Sequence, residues 1–183
     1  MDVFGTLKPD LKRNLIAMFV AGLCFWAGLA GLLPALPLYI EQFGATGQQI
    51  GWVMASFAIG LLTMRPLMAR MTDERGRKPV LLIGLVAIAV APLLYWLVPF
   101  LPAITWQISL GTHVWRIDSA IVLMMLFRAF HGISIASFVT AYSALVADFA
   151  PPGQRGELIG YMSLVNPIGM AVGPALGGFL QAG

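Results

Sequence analysis

Five long apolar runs, separated by short polar or charged breaks, set the plan of this chain. The first follows a basic opening segment, residues 1–14 with Lys8, Lys12 and Arg13, and extends over 15–40. It is too long for the core of a cleavable signal peptide, which spans about 7 to 15 residues, so it is expected to be retained as a helix. Its last turns hold Pro34 and Pro37, which remove backbone donors and loosen or bend the helix there. A polar break at 41–49 follows, with Thr46 placed as an N-cap for a second helix over 50–68. There Gly51, Ala55 and Gly60 permit close approach of a neighbouring helix, and Arg65 sits within snorkelling reach of headgroups. A charged loop, 69–78, separates this run from a third helix over 79–101, opened by Pro79 as a first-turn proline.

The pattern changes period at 102–119. Ile104, Trp106, Ile108 and Leu110 alternate with Thr105, Gln107 and Ser109, and Gly111 and Thr112 follow. Alternation around a glycine-containing break predicts a small β-hairpin outside the membrane, with Trp106 and Trp115 suited to an interfacial aromatic belt. A fourth helix is expected over 120–146, a short loop over 148–156, and a fifth helix over 157–180.

Composition agrees with a membrane setting. Apolar residues make up 59% of the 183 and charged residues only 10%, against about a quarter charged in soluble domains. The expected fold class is therefore all-α, a polytopic membrane bundle of five transmembrane helices with lipid as its surroundings. The net charge of +3 is not arranged as a basic face with interleaved aromatics, so nucleic acid is not an expected partner. The cations gather in the opening segment, in 65–78 and at Arg155, with Arg116 alone on the other side, which predicts a cytoplasmic N-terminus. Cys24, the only cysteine, lies within an apolar run and is read as a small core residue. No grouping with metal-ligand spacing and no nucleophile, base and acid order is evident, so no cofactor and no enzyme activity are expected.

Arg128 carries the most information of any single residue. It lies about eight residues into the fourth helix, roughly 12 Å below the surface of a core about 30 Å thick. A cation there costs at least about 2.5 kcal/mol on insertion scales, so it must face the bundle interior or an aqueous cavity. No carboxylate lies at comparable depth in the five spans. His131 and Tyr142 fall on the same helix face as Arg128 and complete a candidate cavity lining.

Three motifs resemble the major facilitator superfamily. In 69–78, ARMTDERGRK, the residues Asp73, Gly76, Arg77 and Lys78 match the signature of that family's helix 2 to 3 loop, with Ala69 and Glu74 departing from it. The run Arg128-Ala129-Phe130-His131-Gly132 is similar to its helix 4 motif, R-x-x-Q-G, with His131 in place of Gln. On the fifth helix, Gly169, Gly173, Pro174, Gly177 and Gly178 match the antiporter motif G-x-x-x-G-P-x-x-G-G at every fixed position. The resemblance, closest to drug:proton antiporters, implies a proton-coupled exporter of small molecules working by alternating access in a bacterial inner membrane. It gives Arg128 and His131 a part in coupling. It makes Asp73, Gly76, Arg77, Lys78, Asp148 and Arg155 a cytoplasmic latch, with Arg77 and Asp148 the preferred ion pair. It also implies a sixth helix and a C-terminal half beyond these 183 residues, so the chain is expected to be a fragment without transport of its own. A second reading is a membrane scaffold whose fifth-helix glycine groove binds a partner protein.

Overall fold

A computed structural model describes residues 7–110 and 113–182, with side chains for 7–107 and 117–179. Residues 111–112, where a break between the strands was expected, and the side chains of Trp115 and Arg116 lie outside the described residues. Six helices and one two-stranded ribbon are described: α1 (Pro9–Glu41), α2 (Gly47–Glu74), α3 (Arg77–Leu97) with a 3-10 turn (Val98–Phe100), β1 (Thr105–Leu110), β2 (His113–Asp118), α4 (Ser119–Phe149), α5 (Arg155–Ser163) and α6 (Val165–Ala182). They supply five stretches long and apolar enough to cross a membrane, α5 and α6 together making the fifth.

The helices run past the apolar stretches that announce them. The segment 69–78, expected as a loop, is mostly helix end: α2 continues to Glu74 and α3 starts at Arg77, leaving only Arg75 and Gly76 between. Gly76 makes this joint possible with φ of 89°, a region open to glycine at no steric cost. Charged residues favour water but have no quarrel with helical backbone, so hydropathy marks the membrane boundary rather than the helix boundary. The N-cap at Thr46 is borne out: its hydroxyl accepts from the Gln49 N–H at 3.3 Å, and its own N–H donates to Gln49 Oε1 at 2.9 Å. That reciprocal pair satisfies two of the orphan donors of a helix start.

The prolines act unevenly. α1 remains helical through Pro34 and Pro37. The fifth span, expected as one helix, breaks between Ser163 and Val165. Pro167 has no N–H for the Ser163 carbonyl and its ring crowds that oxygen, so the chain turns at Leu164, whose N–H donates to Tyr161 O at 3.2 Å. Pro99 in the 3-10 turn likewise cannot donate to the Tyr95 carbonyl, which accepts instead from the Val98 N–H and, at 2.8 Å, from the Tyr39 hydroxyl of α1.

α4 is the centre of the bundle, packed between α2 and α3. Hydrocarbon tails offer no hydrophobic drive for helix association, so close packing must hold the spans together, and glycine provides it. At Gly60 an added Cβ would overlap the Ala129 carbonyl, and at Gly132 it would overlap the Phe57 carbonyl and lie 2.7 Å from Leu61 N. α3 crosses α4 at Gly84, whose missing Cβ would be 2.7 Å from Phe138 N. Gly51, expected to aid packing, faces open space. α1 pairs instead with α6, and a stack of Phe25 on Phe138, centroids 3.9 Å apart and planes at 7°, ties that pair to α4. Cys24 is exposed on α1 rather than buried as expected. It borders a shallow apolar cleft with Ile168 and Val172, the helical turn having put Phe25 on the inner face instead.

Candidate functional site

Arg128 is 3% exposed and lies inside the bundle where α2, α3 and α4 meet. The Gly60–Gly132 crossing fixes the spacing of α2 and α4 and thereby brings Phe57 under the guanidinium, whose central carbon is 4.6 Å from the ring centroid. Attraction between the cation and the ring face is worth about 2 kcal/mol in a desolvated setting. Ser56 helps fix the same crossing, its hydroxyl donating to Met125 O at 2.9 Å.

His131 is fully buried one turn further along α4. Its Nδ1 lies 3.2 Å from Arg128 Nη1 and 3.2 Å from the Tyr95 hydroxyl of α3. A guanidinium has only donors, so Nδ1 must accept, and the imidazole is the neutral tautomer with its proton on Nε2. Tyr95 then also donates to Nδ1. The Phe57 ring meets His131 edge to face at a centroid separation of 5.6 Å. Two buried donors, Arg128 Nε and His131 Nε2, have no partner among the described residues, and Arg128 makes no ion pair among them. A buried donor left unmade costs about 1–3 kcal/mol. Such an arrangement can present its donors to an acceptor or to water when helices separate.

Tyr142 is on the same helix but is not brought to Arg128. Fourteen residues of helix separate them by roughly 21 Å. The Tyr142 hydroxyl instead donates to Met162 O at 3.4 Å beside the α5–α6 break. It lies in a separate apolar cluster with Phe138, Val146 and Leu158. Tyr95 and Phe57 take the place that sequence reasoning gave it. Tyr95 had a signal, as the only hydroxyl among residues 79–101; Phe57 had none to distinguish it from a lipid-facing phenylalanine.

The charged end holds a second cluster. Arg77 Nε donates to Asp148 Oδ2 at 2.8 Å, the pair singled out from the sequence, and Arg77 Nη1 donates to Thr72 O at 3.1 Å. One side chain thus joins the ends of α2, α3 and α4. Glu74 pairs with Arg70 at 2.6 Å. Asp73, Lys78 and Arg155 are exposed and make no ion pair among the described residues.

Of the fifth-span glycines, three pack on α1. An added Cβ would come within 2.5 Å of Trp26 Cβ at Gly169, 2.7 Å of Ala30 Cβ at Gly173 and 2.6 Å of Gly31 O at Gly177. Pro174 lies within α6, and Gly178 faces open space. The groove is therefore filled by this chain's own first helix, which removes the surface that the scaffold reading needed.

Five stretches long and apolar enough to cross a membrane, three of them meeting at a buried cation, with a charge cluster at one end, define a multi-pass membrane protein. Residues 17–182 match the sequence model of the Major Facilitator Superfamily, and the chain belongs to that family. The quinolone resistance protein NorA of Staphylococcus aureus is 25% identical over 170 residues, covering 93% of this chain and 39% of that protein. Multidrug resistance protein 2 of Bacillus subtilis (strain 168) is 29% identical over 175 residues, covering 96% of this chain and 37% of that protein. The chain thus spans less than two fifths of the length of these relatives.

Proposed function

We propose that this chain forms part of a proton-coupled exporter of small, drug-like molecules that works by alternating access, with its N-terminus in the cytoplasm. The observation that carries the reading is Arg128: a guanidinium held in the membrane interior against Phe57 and His131, without a counter-charge among the described residues. Holding a cation there serves no packing purpose that an apolar residue would not meet at lower cost. It is accounted for if the helices part to admit water and an acceptor-bearing substrate. The relatives named for quinolone and multidrug resistance support drugs, quinolones among them, as that substrate.

In this account His131 exchanges its neutral tautomer for the protonated one during the cycle. Protonation of Nδ1 abolishes the acceptor that Arg128 uses, so proton uptake and release of the guanidinium are mutually linked. Arg77 and Asp148 act as the latch of one state, with Asp73, Lys78 and Arg155 available to further partners as the helix ends shift. The fifth-span motif sets how α6 slides or tilts on α1. A C-terminal half of the same protein supplies the facing wall of the substrate path.

The test is transport in inverted vesicles from cells expressing the gene that encodes this chain. Uptake of a fluorescent aromatic drug should require an imposed proton gradient and fall at least tenfold on Arg128→Ala. Gradient-independent uptake sinks the coupling, and undiminished uptake by Arg128→Ala sinks the site.

A further inference from the structure

The β1–β2 ribbon takes no part in the Arg128 site, yet it is built firmly onto the helix that carries it. β2 ends at Asp118 and α4 starts at Ser119 with no loop between. Ser119 clamps the base: its N–H donates to Ile104 O at 2.8 Å, its hydroxyl donates to Pro102 O at 3.0 Å, and Ile104 N–H donates to that hydroxyl at 3.0 Å. Thr105 Oγ1 donates to Asp118 Oδ1 at 2.5 Å across the first pair. The ribbon's attitude to α4 is thereby fixed.

A two-stranded ribbon is marginal by itself in water and needs a surface to cover one side. The register supplies two unlike sides. Trp106↔Ile117 and Ile108↔Trp115 share one parity of the pleat, while Thr105↔Asp118 and Gln107↔Arg116 share the other. Residues opposite one another fall on the same face, so near the base of the ribbon Trp106 and Ile117 share one face and Thr105 and Asp118 the other. On the first side Ile104 and Trp106 stay 51% and 46% exposed among the described residues.

The adjoining surface identifies what does. At the same end of the bundle α3 finishes in Trp96 and Phe100, 66% and 67% exposed, with rings 5.0 Å apart. Both stand at the end of a membrane span, where aromatic rings sit at headgroup level. We propose that the ribbon lies with its Ile104, Trp106 and Ile117 side on the headgroup and acyl boundary of the phospholipid leaflet at this end, continuing the belt begun by Trp96 and Phe100. It thereby anchors the outer ends of α3 and α4, the helices that carry Tyr95, Arg128 and His131, at a set depth.

Cys24→Ala leaves a chain without cysteine, into which Ile104→Cys or Gln107→Cys is introduced for a polarity-sensitive fluorophore. Both positions are exposed, so folding is retained. The chain is reconstituted in phosphatidylcholine and phosphatidylglycerol vesicles containing a lipid spin-labelled near the headgroup. The label at 104 should be quenched several-fold more by the spin-labelled lipid than the label at 107, and several-fold less by aqueous iodide. Equal iodide quenching at the two positions, with no lipid quenching, would show the ribbon standing in water and overturn the proposal. A label at 104 shielded from both quenchers would show a protein covering this side, and overturns it equally.

Discussion

Replacing Gly132 by Ala tests the crossing that builds the arginine site. The added methyl would meet backbone rather than movable side chain: it would overlap the Phe57 carbonyl and lie 2.7 Å from Leu61 N and 3.2 Å from Gly60 C. Ordinary contact begins near 3.4 Å, so α2 must retreat from α4 by about 0.7 Å on the Leu61 side alone, and by more opposite Phe57. Overpacking of this kind costs about 1–3 kcal/mol, roughly 5- to 150-fold in a folding equilibrium. Because packing holds membrane helices together with little help from the hydrophobic effect, no compensating burial offsets the loss. The assay is reversible unfolding in mixed micelles by added dodecyl sulfate, followed by tryptophan emission. Gly28→Ala and Gly51→Ala serve as controls, since an added Cβ at either meets open space. Those two should be neutral or stabilising by up to about 1 kcal/mol from helix propensity, whereas Gly132→Ala should unfold at clearly lower dodecyl sulfate. Three variants of equal stability would refute the idea that backbone contact at this crossing organises the bundle.

Other consequences are open to direct measurement. His131→Leu deprives Arg128 of its acceptor and should lower stability by about 1–3 kcal/mol in the same assay; His131→Gln, which keeps an acceptor and a donor, should recover most of it. If proton-driven uptake persists unchanged in His131→Gln vesicles, His131 is not the proton carrier. Asp148→Asn breaks a pair that is half exposed on the Asp148 side, so it should change stability by no more than about 1 kcal/mol while shifting the conformational equilibrium read by cross-linking of the helix ends. The exchanged pair Arg77→Asp with Asp148→Arg should restore that equilibrium only in part, because the bond from Arg77 to Thr72 O is not rebuilt. Tyr39→Phe removes one of the two donors to the Tyr95 carbonyl, leaving the Val98 N–H, and should cost about 0.5–1.5 kcal/mol, seen as a lower thermal midpoint in detergent.

The sequence was most informative where membrane insertion imposes a cost. A charge at the depth of Arg128 has few physical outcomes, so its burial was readable from position alone. The Arg77–Asp148 pair was readable only through the resemblance to the major facilitator superfamily, since the α3–α4 connection lies at the opposite end of the bundle and no local pattern brings Asp148 to Arg77. The spans themselves followed from hydropathy, though their ends did not: α2 and α3 continue as helix through charged residues that belong in water. Which glycines make contacts was not readable either. Gly51 and Gly60 look alike in sequence, and only the crossing angle of α2 on α4 decides that one meets Ala129 and the other open space. The same limit applies to Tyr142: helical phase put it on Arg128's face, but depth along the axis sends it to Met162. Partners from other helices, Phe57 and Tyr95, depend on tertiary packing that no local pattern records. Pro167 carries a local signal for the break at Leu164, since a proline cannot donate to the Ser163 carbonyl.

The central claim is that Arg128 looks into the bundle and not at lipid, and cysteine chemistry in the Cys24→Ala chain tests it most directly. Leu126, two residues away, is 60% exposed on the outside of the bundle. In reconstituted vesicles Leu126→Cys should react with a lipid-soluble maleimide, whereas Arg128→Cys should resist that reagent and react only with a small water-soluble thiosulfonate entering between the helices. Fast labelling of Arg128→Cys by the lipid-soluble maleimide, at the rate found for Leu126→Cys, would contradict the account.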